Sequence, residues 1–261
     1  MPPIYRNGSI ALRDRLVVNG QSILPTFRYA GDQALAGTWR AATGVDLSLV
    51  SSPAPGYLQA SSPLGSTDLA VSFGGAAGSA LRAGSTSDYS LSTEDGLFVA
   101  VAQIAAGGSG TRAIFAKMAF SSGNDQGYGL WIDGSLQPNF RWSTTGNVGS
   151  TVVGAALSTA TWYLLMACVD PSEASSNGQA LFVNGQLVGT ATPTSQSIAN
   201  SAQFHVGLKV GGSGVGPYNG HVSHVIGWAA SGLWPGGADN LILWRELARE
   251  LFDRWLNGVP A

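Results

Sequence analysis

Alternating apolar and polar residues predict that this chain is built mainly from β-strands. The clearest example is the segment 181–190, where the alternation continues on both sides of Asn184-Gly185. Asn-Gly accepts the positive φ angles of a two-residue type I′ turn, so the segment predicts a β-hairpin. A continuous apolar run at 161–170 predicts a buried strand before it. Further short runs, separated by turn-forming residues every 8–12 positions or so, indicate a β-sandwich.

One segment near the end of the chain has the period of a helix instead. Apolar residues recur there at i, i+3 and i+4 spacing, at Trp244, Leu247, Ala248, Leu251, Phe252 and Trp255. Asp239 is the predicted N-cap, and Asn257-Gly258 is the predicted C-terminal stop. We expect this helix to pack on its own domain, and docking on a partner subunit is the alternative.

Short strand-like motifs follow one another along the chain at 69–75, 96–102, 114–117, 127–133, 161–170, 181–190, 204–207 and 218–225. The order of these motifs resembles the laminin G-like branch of the concanavalin A-like lectin/glucanase family. Together they span about residues 67–230. The resemblance implies an all-β fold, a two-sheet antiparallel jelly-roll sandwich of concanavalin A-like type, with a C-terminal α-helix.

These patterns divide the chain into three pieces. Residues 67–235 form the predicted laminin G-like sandwich, and residues 236–261 contain the amphipathic helix. Residues 1–66 do not match the family pattern. They are predicted either to add edge strands to the sandwich or to form an arm that pairs with a neighbouring subunit.

Composition limits the classes of partner. The net charge is −2 and the 13 basic residues are scattered, so nucleic acid is not an expected ligand. No run approaches the length of a membrane-spanning helix, and no secretory signal follows Met1. Cys168 is the single cysteine and lies in the most apolar run, which predicts a buried thiol. We therefore expect synthesis in a reducing cytoplasm and no membrane partner.

The acidic residues do not suggest catalysis. Related glucanases carry Glu-x-Asp-x-x-Glu on one strand, and the four glutamates here, Glu94, Glu173, Glu246 and Glu250, do not reproduce it. No Gly-x-Ser-x-Gly motif is present, and His221 and His224 are expected on opposite faces of a strand. The prediction is therefore a non-enzyme with no catalytic and no metal-binding residues. No cofactor is expected, and calcium at Asn124, Asp125 and Asp170 is left open.

A sugar-binding site would need an aromatic platform with polar groups beside it. The candidate residues are Tyr128, Trp131, Trp142, Tyr218 and Asn219. Trp131 and Trp142 flank the Asp133-Gly134 turn and are predicted to be cross-strand neighbours. Roles in the core or on the sheet surface are the alternative for these aromatics.

The favoured functional hypothesis is a non-enzymatic structural protein of a bacteriophage particle, as a capsid decoration or a tail-associated component. It would be localised in the virion, with other virion subunits as partners, as part of a homo-oligomer. The alternative is a carbohydrate-binding adhesin that recognises a host surface glycan. The phage hypothesis rests on the resemblance, on the lack of catalytic carboxylates, of a secretory signal and of disulfides, and on terminal segments outside the family pattern that are suited to docking. The adhesin hypothesis rests on the resemblance and on the candidate aromatic platform.

Overall fold

The computed structural model describes residues 16–18, 21–35, 38–49, 56–59, 69–74, 80–106, 110–121, 124–145, 148–207 and 215–257. The described elements are β1 (Leu16–Val18), β2 (Gln21–Ile23), β3 (Phe27–Leu35), β4 (Thr38–Thr43), β5 (Leu47–Leu49), β6 (Gly56–Gln59), β7 (Leu69–Gly74), β8 (Leu81–Arg82), β9 (Asp95–Ile104), β10 (Thr111–Ser121), β11 (Asn124–Ile132), β12 (Pro138–Ser143), β13 (Gly149–Val153), β14 (Trp162–Val169), β15 (Gln179–Val183), β16 (Gln186–Ala191), β17 (His205–Val206), β18 (Val215–Gly216), β19 (Asn219–Ala230) and α1 (Ala238–Asn257).

Two antiparallel sheets form the predicted concanavalin A-like sandwich. The first sheet has the order β16-β15-β14-β9-β19, and β7 and β3 pair with successive parts of the far edge of β19. The second sheet has the order β5-β8-β17-β10-β11-β12-β13. Strand β4 pairs with both β3 and β5 and so links the two sheets at one edge. The short β18 pairs with β10 in parallel.

Aromatic side chains fill the space between the sheets. Phe98 of the first sheet stacks on Tyr128 of the second, with ring centroids 4.8 Å apart, and is also 5.9 Å from Phe115. Burying large rings such as these contributes on the order of 2–3 kcal/mol each. This interior core fixes which residues of each strand point inward, and the alternate residues must point out of the sandwich.

A second core lies on the outer face of the first sheet, under helix α1. Trp244, Ala248, Leu251 and Trp255 of the helix are buried against strands β9, β14, β15 and β19. Cys168 is fully buried in this layer, and burial raises the pKa of its thiol. The predicted helix therefore packs on the sheet of its own chain. It begins at Ala238, so Asp239 lies in the first turn and not at the predicted N-cap.

The Asn184-Gly185 hairpin has the predicted turn geometry. Asn184 has φ +50° and Gly185 has φ +75°, as a type I′ turn requires, and Val183 faces Gln186 across it. The Asn184 side chain also accepts a hydrogen bond from the Leu164 backbone N–H at 2.9 Å. The turn is therefore joined to β14 as well as to its own two strands.

Part of the N-terminal piece is paired within the sandwich. Strand β3 pairs with β19, and β6 pairs with β7, so residues 27–35 and 56–59 belong to the first sheet. Strands β1 and β2 pair with each other, in a two-stranded sheet of their own. Residues 1–15, which include part of the predicted arm, lie outside the described residues. The division of the chain at residue 66 stays a prediction.

Candidate functional site

The outer face of the second sheet combines an aromatic side chain with polar groups. The register of β11 and β12 places Trp131 opposite Asn139, and Gly129 opposite Arg141. The alternate residues of both strands, such as Leu130 and Phe140, belong to the interior core. Trp131, Asn139 and Arg141 therefore share the face that points out of the sandwich.

Trp131 is packed at its sides and retains 8% of its surface exposed. Its indole packs with Ala113 and Met118, which lie on the same face of β10. Opposite it, the Asn139 amide donates to the Gln137 carbonyl at 2.8 Å and to Asp133 Oδ2 at 3.2 Å. The polar group beside the indole therefore has a fixed position.

The turn between β11 and β12 supports that position. Asp133 Oδ1 accepts the backbone N–H groups of Ser135 at 2.8 Å and Gln137 at 2.9 Å. A carboxylate that accepts several backbone donors stabilises a tight turn. Asp133 therefore orients the turn and, through Asn139, the polar side of the candidate site.

Arg141 extends the polar surface diagonally from Trp131. Its guanidinium lies 3.9 Å from Asp125 Oδ2 and 3.4 Å from Ser143 Oγ. The residue opposite it, Gly129, has little free space, because an added Cβ would lie 3.2 Å from the Ala116 Cβ and 3.3 Å from the Met118 Sδ. The floor of this face is therefore formed by small residues, with Trp131 and Arg141 at its sides.

The structure does not bring the five predicted sugar-binding residues together. Tyr128, Trp142 and Tyr218 are fully buried in the interior core, so they cannot serve as an exposed platform. Trp142 faces Tyr128, not Trp131, so the expected Trp131–Trp142 pairing is wrong. Asn219 begins β19 in the first sheet, opposite Gly74. Trp131 is therefore the one predicted aromatic that points outward.

The buried tyrosines have structural partners. The Tyr128 hydroxyl donates to the Tyr89 carbonyl at 2.9 Å, and the Tyr218 hydroxyl donates to the Gln103 carbonyl at 3.0 Å. Burial raises the pKa of both phenols. Strand alternation contained the signal for this outcome, because Tyr128 shares its parity with Leu130 and Ile132.

A β-bulge changes the expected placement of two histidines. The register of β19 shifts between Val222 and His224, so His221 faces Gln103 and His224 faces Val101. Both histidines therefore lie on the outer face of the first sheet, which corrects the expectation of opposite faces. His224 is buried, with its Nδ1 3.0 Å from Ser223 Oγ, and burial lowers its pKa to about 3.

Within the described ranges, no group of three or more His, Cys, Asp or Glu side chains is placed to hold a metal ion. Of the calcium candidates, Asp125 lies beside Arg141, and Asp170 accepts hydrogen bonds from Ser172 and Asn240. The side chain of Asn124 lies outside the described part of the chain. Among described helices, none has the length and apolar character needed to cross a membrane.

Sequence reasoning missed a buried carboxyl pair at the start of the helix. Asp95 Oδ2 accepts the backbone N–H groups of Leu233 at 2.7 Å and Trp234 at 3.3 Å. Asp170 accepts from the Asn240 amide at 2.9 Å and lies close enough to Asp95 for its charge to act on that carboxyl. Burial, and then the charge of Asp170, raise the pKa of Asp95 to about 6. The pair joins the ends of two sheet strands to the segment that leads into α1.

The chain belongs to the concanavalin A-like lectin/glucanase superfamily, whose laminin G-type sequence model matches residues 83–229. No curated protein matches the sequence.

Solved structures share the fold at low sequence identity. The binding domain of Paraclostridial Mosquitocidal Protein 1 superposes with a TM-score of 0.61 at 9% identity, over 89% of this chain and 52% of that one. A Trypanosoma rangeli sialidase in complex with 2,3-difluoro-KDN gives a TM-score of 0.55 at 11% identity, over 91% of this chain and 33% of that one. The chain therefore spans about half of the first protein and a third of the second.

Proposed function

We propose that this protein is a carbohydrate-binding module and that the outer face of the second sheet is its binding surface. The observation that carries the proposal is the placement of Trp131, Asn139 and Arg141 side by side on one outward face. An indole offers apolar contact to the C–H face of a sugar, while an amide and a guanidinium hydrogen-bond its hydroxyl groups. Membership of a family named for lectins supports this interpretation.

Binding without cleavage is part of the proposal. The four glutamates lie on separate elements or have structural partners. Glu94 accepts from the Ser92 N–H at 2.5 Å, and Glu173 accepts from the Gly237 N–H at 2.6 Å. Glu246 and Glu250 lie on helix α1, where Glu250 pairs with Arg254 at 2.6 Å. A retaining glycosidase needs two carboxyls about 5–5.5 Å apart across the scissile bond, and this distribution favours a binding role.

Replacing Trp131 tests the site. We expect the wild-type protein to bind a defined set of glycans on an array, and Trp131→Ala to weaken that binding by roughly 5- to 150-fold, because one stacked aromatic contributes on the order of 1–3 kcal/mol. Trp131→Phe should retain part of the affinity. Calorimetric titration with the best glycan measures the three affinities, and thermal melting checks that each variant is folded.

Ile242→Ala is the control for the Trp131 variants. Ile242 is exposed on helix α1, on the side of the molecule that belongs to the first sheet, so its loss should leave binding unchanged. A folded Trp131→Ala protein with wild-type affinity would contradict the assigned site. A wild-type protein that binds no glycan would contradict the function itself.

A structural role in a phage particle is the second proposal, with other virion subunits as partners in a homo-oligomer. The observation that favours it is the separate β1–β2 sheet, which joins neither sandwich sheet within the described part of the chain. Such a hairpin has strand edges suited to pairing with another subunit. None of the structures named above is described as a virion component, so the comparisons favour carbohydrate binding.

Deletion of residues 1–24 tests the assembly proposal. We expect the shortened chain to fold, because β3 starts at Phe27 and the sandwich is anchored at Thr26, whose N–H donates to the Gly227 carbonyl at 2.7 Å. We also expect it to lose self-association. Light scattering measures the mass of both chains, and circular dichroism checks the fold. An unfolded product, or one with the same mass as the oligomer of the full chain, would contradict an intersubunit arm.

A further inference from the structure

The outer face of the second sheet contains a continuous row of paired residues that crosses all seven strands. The register aligns Ser48 of β5, Arg82 of β8, His205 of β17, Ala116 of β10, Gly129 of β11, Arg141 of β12 and Thr151 of β13. Paired residues in a sheet point to the same side. We call the five central members, from Arg82 to Arg141, the cationic row.

The cationic row points away from the core. The residues that alternate with it, Leu81, Val206, Phe115 and Tyr128, all belong to the interior core. Each member of the row must therefore face outward, on the same face as Trp131. Neighbouring strands are about 4.8 Å apart, so Arg82 and Arg141 are separated by roughly 19 Å along the sheet. That length suits several sugar units rather than one.

The row places basic groups at its ends and small residues between them. Arg82 and His205 are direct neighbours at one end, and Arg141 stands at the other. Ala116 and Gly129 lie between them and are buried beneath their larger neighbours. The guanidinium groups of Arg82 and Arg141 therefore stand at the two ends of the row, on the outer face of the sheet.

The charge at the Arg82 end is not balanced by a nearby carboxylate. The Arg82 guanidinium donates to the neutral Gln203 Oε1 at 3.4 Å, and no Asp or Glu within the described ranges forms an ion pair with it. His205 Nδ1 lies 2.8 Å from the Gln203 carbonyl, which orients the ring. His205 is buried, and burial, followed by the positive charges of Arg82 and Lys117, lowers the pKa of its imidazole. Arg141, in contrast, has Asp125 3.9 Å away.

We propose that the cationic row binds an anionic glycan, with an acidic group of the glycan held by Arg82. The proposal rests on the proposed carbohydrate-binding function and adds the chemical class of the ligand. A guanidinium forms paired hydrogen bonds with a planar carboxylate, and it also binds sulfate esters. The protein as a whole has a net charge of −2, so attraction of polyanions must come from a local surface such as this row.

Matched polymers test the ligand class. Polygalacturonate and its fully methyl-esterified form share one backbone and differ in carboxylate charge, while dextran sulfate and dextran differ in sulfate. In affinity electrophoresis, we expect the wild-type protein to bind at least one acidic polymer and to bind its neutral counterpart at least about tenfold more weakly. The acidic polymer that binds identifies carboxylate or sulfate as the group recognised. We expect the binding to weaken as salt is raised.

Arg82→Gln tests the residue. We expect at least about a tenfold loss of affinity for the acidic polymer. Arg82→Lys should have an intermediate affinity, because lysine keeps the positive charge but cannot form the paired hydrogen bonds of a guanidinium. Arg245→Gln is the matched control, because it removes the same charge from an exposed position on helix α1. Circular dichroism checks the fold, and the salt dependence of the wild-type protein tests the proposal even if a variant is unstable.

The outcomes separate the two proposals. Equal binding of acidic and neutral polymers, or binding that salt does not change, would overturn the proposal of an anionic ligand. If Trp131→Ala still abolished that binding, the proposed carbohydrate-binding function would stand. Equal losses in Arg82→Gln and Arg245→Gln would show general charge attraction and overturn the cationic row. No binding to any polymer or arrayed glycan would overturn both.

Discussion

Gly185→Val should lower the free energy of unfolding by roughly 2–5 kcal/mol, through two separate effects. Gly185 has φ +75°, a left-handed conformation in which a β-branched residue is strained by about 1–3 kcal/mol. In addition, an added Cβ would lie 3.1 Å from the Phe252 Cβ, 3.3 Å from the Ala248 carbonyl oxygen and 3.4 Å from the Arg249 Cα of helix α1. The two valine methyl groups extend further, so either the hairpin or the helix must move.

Gly232→Val separates the strain from the contact with the helix. Gly232 has φ +70°, close to that of Gly185, but an added Cβ there meets nothing within 4 Å. Its replacement should therefore show the strain alone. Urea denaturation of both variants gives the difference between them, which we expect to be at least about 1 kcal/mol. Equal losses of unfolding free energy in the two variants would mean that a side chain at position 185 does not clash with helix α1.

The hairpin also shows what local patterning predicts well and what it omits. Asn184-Gly185 fixed the turn type and the register, because only a few residue pairs accept two positive φ angles. From the turn geometry alone, Asn184→Ala changes only the first turn position and should cost less than Gly185→Val. The hydrogen bond from the Leu164 N–H to Asn184 Oδ1 depends on a strand 20 residues away, and its loss leaves a backbone donor unpaired. A hydrogen bond between residues this far apart in the chain cannot be predicted from the local sequence pattern.

The candidate site was predicted less well than the fold, for two physical reasons. Aromatic residues occur both in cores and on binding surfaces, so residue type alone does not distinguish the two locations for Tyr128, Trp142 and Tyr218. Their position in the alternation of each strand decides which side of the sheet they face. The cationic row is the second case. Arg82, His205 and Arg141 come from three strands far apart in sequence, and only the register of the complete sheet aligns them. The sequence contains no spacing that indicates such a row.

A parallel difficulty hid the buried carboxyl pair. Asp95 is the first residue of β9, and Asp170 comes directly after the last residue of β14. At the end of a strand, a polar residue usually marks a turn that is exposed to solvent. They became neighbours because β9 and β14 pair antiparallel, with Gly96 opposite Val169. Segment 231–237 then covers them, and Asp95 and Asp170 are left only 5% and 2% exposed. The raised pKa of Asp95 predicts a dependence of stability on pH.

Asp95→Asn should remove a loss of stability that the wild-type protein undergoes between about pH 4 and pH 6. Burial, and then the charge of Asp170, raise the pKa of Asp95 to about 6 in the folded chain, whereas an unfolded aspartate titrates near 4, as free aspartates do. Below pH 4 both states are protonated. Between the two pKa values only the unfolded state ionises, so stability falls as pH rises, and above pH 6 the loss is complete.

An asparagine at position 95 keeps the favourable contacts at every pH. Its amide oxygen can accept from the N–H groups of Leu233 and Trp234, as Asp95 Oδ2 does, and its NH₂ can donate to Asp170. We therefore expect the free energy of unfolding of Asp95→Asn to equal that of the wild-type protein near pH 4 and to exceed it by roughly 1–3 kcal/mol at pH 8.

Asp170→Asn is the comparison variant. Asp170 accepts from Ser172 N–H, Ser172 Oγ and Asn240 Nδ2, so its replacement loses acceptor capacity and should destabilise the protein throughout. Denaturant unfolding across this range measures all three chains. If Asp95→Asn kept the wild-type decline between pH 4 and pH 6, another group would be its source, and the raised pKa of Asp95 would be the wrong explanation.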